Sequence, residues 1–81
     1  MNKESQIKSL EREQIRLLNE IDRLTNESAN IVKQYLEIVL DNPNKVQNLL
    51  NKRDKLHEEI DETWSKFEHI GKQIKQLNEE S

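Results

Sequence analysis

Leu40-Asp41-Asn42-Pro43-Asn44-Lys45-Val46 is the stretch that decides the fold. Proline is accepted at the first position of a helix, where its missing N–H is not needed, and Asn is a favoured residue just before it. Pro43 also disfavours helical geometry at Asn42, so a helix arriving from the N-terminal side has to stop there. The sequence therefore predicts a helix over 3–40, a turn over 41–44 with the proline already opening the next helix, and that second helix over 43–80. A connection this short forces the two helices to lie side by side and antiparallel.

Outward from the turn, both arms carry a 3-4 apolar repeat. The first reads Ile7, Leu10, Gln14, Leu17, Ile21, Leu24, Ser28, Ile31, Tyr35, Ile38; the second reads Val46, Leu49, Arg53, Leu56, Ile60, Thr63, Phe67, Ile70, Ile74, Leu77. Sixteen of these twenty a and d positions are apolar, and neither series contains a stutter, which is the pattern of a coiled-coil seam. The two series also mirror each other about Asn42. Ile38 falls opposite Val46, Tyr35 opposite Leu49, Leu24 opposite Ile60, and Ile7 opposite Leu77, each layer joining an a to a d. Two arms written in register about a turn specify one hairpin, a single all-α domain over 1–81. Four layers hold a polar residue against an apolar one: Gln14 with Ile70, Ser28 with Leu56, Arg53 with Ile31, and Thr63 with Ile21. Such residues fix register at some cost in stability.

The two flanks of this seam read differently. At the g positions stand Glu13, Glu20, Glu27, Gln34 and Asp41, facing Lys45, Lys52, Glu59, Lys66 and Gln73. This is a solvated, charged flank, on which Glu20 is expected to meet Lys66 and Asp41 to meet Lys45. The e side, with its adjoining b positions, exposes Ile15, Leu18, Val32, Leu36, Val39, Leu50 and Trp64. A long apolar strip on a helical rod marks an interface. One seam alone makes a small core, and covering the strip with a second copy would complete a four-helix bundle. The sequence accordingly predicts a homodimer, with a helix of another protein as the second candidate occupant. Trp64 is the expected anchor, since Trp is enriched among interface hot spots. Gly71, in the middle of the second helix, costs about 1 kcal/mol relative to Ala; it either lets another helix approach or is simply tolerated.

Composition excludes several functions. The chain is 36% charged and 32% hydrophobic, with one Gly, one Pro and no Cys. Neither a compact globule nor a disulfide or thiolate-metal framework fits that composition. The net charge of −3 is spread over interleaved acids and bases. No basic stripe exists to hold a nucleic-acid backbone. No apolar run follows Met1–Ser5, and none reaches the length of a membrane span; the expected setting is the cytoplasm.

Chemistry is equally sparse. There is no phosphate loop and no nucleophile with a general base at a useful spacing. Two packed helices are expected to form no cleft of the size an enzyme needs, so no catalytic residue and no cofactor is expected. Asp54-x-x-His57 presents a carboxylate and an imidazole three residues apart, as bundle di-metal sites do. It lies on the e side with Asp22 and Asp61, and is the basis of a remote metal-binding alternative. The runs Lys52-Arg53-Asp54-Lys55-Leu56 and Gly71-Lys72-Gln73-Ile74 are similar to parts of small flagellar export chaperones, helical proteins that hold the helices of their substrates. The Ser-Gln-x-x-Asp signature of helical-hairpin sporulation phosphatases is absent, Leu50-Asn51-Lys52-Arg53-Asp54 standing in its place. No diagnostic motif ties the chain to either family. The function expected from the sequence is a non-enzymatic protein–protein interaction module acting through the e-side strip. A purely structural, self-associating coiled coil is the alternative.

Overall fold

A computed structural model describes residues 2–80, so the predicted domain extends one residue beyond it at each end. Two long helices, α1 (Lys3–Ile38) and α2 (Pro43–Glu79), pack along their whole length as a hairpin measuring 62 × 15 × 14 Å. At about 1.5 Å of rise per residue, either helix alone accounts for most of the long dimension.

The helix ends show what stops and starts them. Asn2 caps α1, its side-chain oxygen accepting from the Ser5 N–H at 2.8 Å, which satisfies one of the free donors of the first turn. Glu4 places an acid in that turn, where the helix dipole is positive. The sequence reading missed this cap. At the other end α1 stops at Ile38, two residues short of the predicted 40. To bring Val46 back onto Ile38 the chain has to reverse within residues 39–42, which draws Val39 and Leu40 into the turn. The Ile38 carbonyl accepts from both Asp41 N–H and Asn42 N–H, at 3.1 and 2.8 Å. The turn itself therefore satisfies a carbonyl that the helix end leaves without a partner. Asn42 does stand at the N-cap of α2, in a non-helical conformation with Pro43 after it, but its side chain makes no capping bond. Its backbone carbonyl instead accepts from Lys45 N–H at 3.1 Å.

None of the twenty a and d positions is exposed, and the seven buried residues among those described all belong to them: Leu17, Ile21, Leu24, Ser28, Leu49, Thr63 and Ile70. The core is deepest at Leu24, which retains 2% of its surface. Burial falls off toward the open end, where Ile7 and Leu77 are half-buried.

The polar layers are accounted for individually. Thr63 Oγ1 donates to the Glu59 carbonyl one turn back, at 2.7 Å, the usual way a hydroxyl inside a helix is satisfied. Ser28 Oγ and His57 Nε2 share a hydrogen bond of 3.2 Å across the seam. Gln14 Nε2 reaches the Phe67 carbonyl at 3.5 Å, a long bond. The same amide lies over Gly71, where a Cβ would come within 3.3 Å of Gln14 Nε2. The close approach that Gly71 permits therefore lies inside the hairpin. Arg53 is the exception, its Nε being buried with no hydrogen-bond partner.

Candidate interaction surface

The charged flank is organised along α1 rather than across the seam. Arg16 pairs with Glu13, and Arg23 bridges Glu20 and Glu27. Neither expected cross-pair forms: Glu20 is taken by Arg23 and not by Lys66, and Asp41 makes no ion pair with Lys45. A partner three residues away on the same helix is reached without stretching a side chain over the groove. Hydrogen bonding to Arg16 and Arg23 holds the Glu13 and Glu20 carboxyls below their ordinary values and raises both guanidiniums, because it favours the charged form of each partner.

The opposite flank carries the predicted strip. Ile15, Leu18, Val32, Leu36 and Trp64 are exposed, Leu36 and Ile15 most of all at 68% and 60%. Val39 and Leu50 are half-buried against the seam. Trp64 is not loose: its ring meets that of Phe67, a seam residue, edge to face at 5.5 Å and 85°, a favoured arrangement for two aromatic rings. That contact fixes the indole while leaving 41% of the residue open. Leu40 is more exposed than any of these, at 91%. It lies outside the predicted strip, and its f position in the heptad was the available signal that it would point outward.

Open surface depressions of about 260 to 500 Å³ run beside the seam. Long side chains standing up on either side of a rod create them. One of about 370 Å³ gathers Glu13, Ser65, Lys66 and His69. No hydrogen bond links those four to one another, and Glu13 is committed to Arg16. The groove of about 260 Å³ lies within the apolar strip, between Val32, Leu36 and Leu50, with Ile31, Tyr35 and Arg53 as its floor. Among the described residues no three His, Asp or Glu side chains come together as metal ligands would. Within Asp54-x-x-His57, His57 turns to Ser28, while Asp54 stands 3.9 Å from Arg53. No helix among the described residues is long and apolar enough to cross a membrane.

Fold and surface together define a class: an antiparallel two-helix hairpin with one charged flank and one apolar flank. Comparison with protein-family models, curated proteins and solved structures gave no match.

Proposed function

We propose that the hairpin is a non-enzymatic protein–protein interaction module, of the adaptor, chaperone or inhibitor kind, that works by packing its e-side strip against another helical surface. The observation that supports this is the line of exposed large apolar side chains on one flank of a molecule whose seam is already covered. Each aliphatic or aromatic side chain contributes about 1.5–3 kcal/mol when fully buried, and several together can offset the cost of association. The charged flank offers no comparable gain and stays wet. Self-association through the strip is the first form of this reading.

Light scattering on the wild type and on a Leu18→Glu, Val32→Glu double variant tests it. The expected result is a dimer that becomes a monomer of unchanged helicity. A wild type that remains monomeric at high micromolar concentration would exclude self-association and give the strip to a foreign helix.

A further inference from the structure

Three of the four polar side chains set into the seam have partners within the hairpin; Arg53 lacks one at its Nε. That atom is the one buried side-chain polar atom without a hydrogen-bond partner among the described residues. Its Nη2 stands 3.9 Å from Asp54, an ion pair open to solvent. Arg53 also lines the groove beside Val32, Leu36 and Leu50, so the residue borders the apolar strip. The Nη end of the guanidinium stays within reach of solvent, and a carboxylate is the strongest acceptor it could meet there.

The strip has a pattern of its own. One apolar band, Ile15, Leu18 and Trp64, lies toward the open end; another, Val32, Leu36 and Leu50, lies toward the turn. Between them is a polar waist of Asp22, His57 and Asp61. An identical hairpin can cover this strip with two-fold symmetry in two ways. With the axis running along the hairpin, both turns lie at one end and α1 rests on the copy's α2. Equal levels then meet, so Asp22 faces Asp61 of the second copy, and Arg53 faces only the apolar stretch around Ile31. With the axis running across the hairpin at His57, the turns lie at opposite ends and each helix rests on its own counterpart. Helical spacing then brings Leu18 to Leu36 of the second copy, Trp64 to Leu50, and Arg53 to Asp61. The first arrangement pairs the apolar bands throughout, and the second pairs them except that Asp22 comes beside Val32 of the second copy. Only the second replaces facing carboxylates with a carboxylate over the open end of the guanidinium, and opposite charges across an interface select one geometry over another.

We infer that the occupant of the strip is a second copy of this chain, antiparallel to the first, with its two-fold axis at His57 and with the open end of Arg53 of each copy paired with Asp61 of the other. This rests on the strip being the interaction surface proposed above. The chain has no cysteine, so engineered thiols report the register without background. His57→Cys should cross-link to itself under oxidation or with a short bis-maleimide. Leu18→Cys should cross-link in a mixture with Leu36→Cys and not alone. All three sites are exposed, and far-ultraviolet circular dichroism would check that each variant folds. Arg53→Glu should raise the dimer dissociation constant about tenfold or more. Asp61→Arg should do the same, and the two together should recover most of the affinity. A Leu18→Cys protein that instead cross-links with Trp64→Cys places equal levels together and overturns this register while leaving the strip as the interface. A dimer that survives Leu18→Glu, Val32→Glu overturns the strip itself, and a monomeric wild type overturns the second copy as occupant.

Discussion

The two flanks of the hairpin are built from the same helices, and their side chains solve opposite problems. On the charged flank, Glu13, Glu20 and Glu27 find arginines on their own helix. The acids there are satisfied by α1 and water, and nothing is gained by covering them. On the apolar flank Ile15, Leu18 and Leu36 stay open to solvent once the hairpin has formed. Even the one charged seam side chain that borders it, Arg53, is left with an unmet N–H. Side chains that pair locally leave a flank with little to gain from a partner, whereas exposed apolar side chains leave a flank whose covering would release free energy. The seam between them behaves in a third way, since none of its positions is left exposed once the hairpin closes.

The contrast can be broken most severely at the seam. Leu24→Ala removes the most deeply buried side chain and should cost about 2–5 kcal/mol, enough to unfold most of so small a core. Urea denaturation followed by circular dichroism at fixed protein concentration would measure it. Leu18→Glu with Val32→Glu should, by contrast, abolish association while leaving the helicity of the hairpin intact. A double variant that unfolds would mean that the strip belongs to the core and that the flank is not separable from the seam.

Smaller effects sharpen the comparison. Gly71→Ala gains up to about 1 kcal/mol of helix propensity, and the obstacle is the flexible end of Gln14. Its long bond to the Phe67 carbonyl is easily given up. A modest rise in melting temperature is expected; a fall would mean that the Gln14 amide holds the open end together. The smallest effect belongs to the charged flank. The Glu13 and Glu20 carboxyls are lowered in the folded chain, chiefly by hydrogen bonds from Arg16 and Arg23. Their contribution is therefore present above the unfolded carboxylate value, about 4.3. It is lost as pH falls through the lower folded value. The stabilities of the wild type and of a Glu13→Gln, Glu20→Gln variant, followed by melting across the acid range, should differ slightly at neutral pH and converge as pH falls below the ordinary carboxylate range. That difference should shrink in high salt, because both pairs are exposed.

What the sequence determined by itself was the hairpin, its turn at Asn42-Pro43, the seam, and the identity of the apolar flank. All of these follow from periodicity and from one backbone restriction, which are properties of the chain read in one dimension. Where α1 ends was less legible, because the demand that the chain reverse onto Ile38 acts only once both helices exist. The tertiary structure decided how long polar side chains choose among partners. Glu20 had Arg23 on its own helix and Lys66 across the seam, and the nearer won. Ser28 found His57, and Gln14 found room over Gly71. Arg53, written into the seam like the other polar residues, was left with an N–H that nothing in the hairpin meets. Spacing alone cannot rank such competing contacts, because a flexible side chain spans several residues and its choice depends on distances across the seam that exist only after the helices have packed.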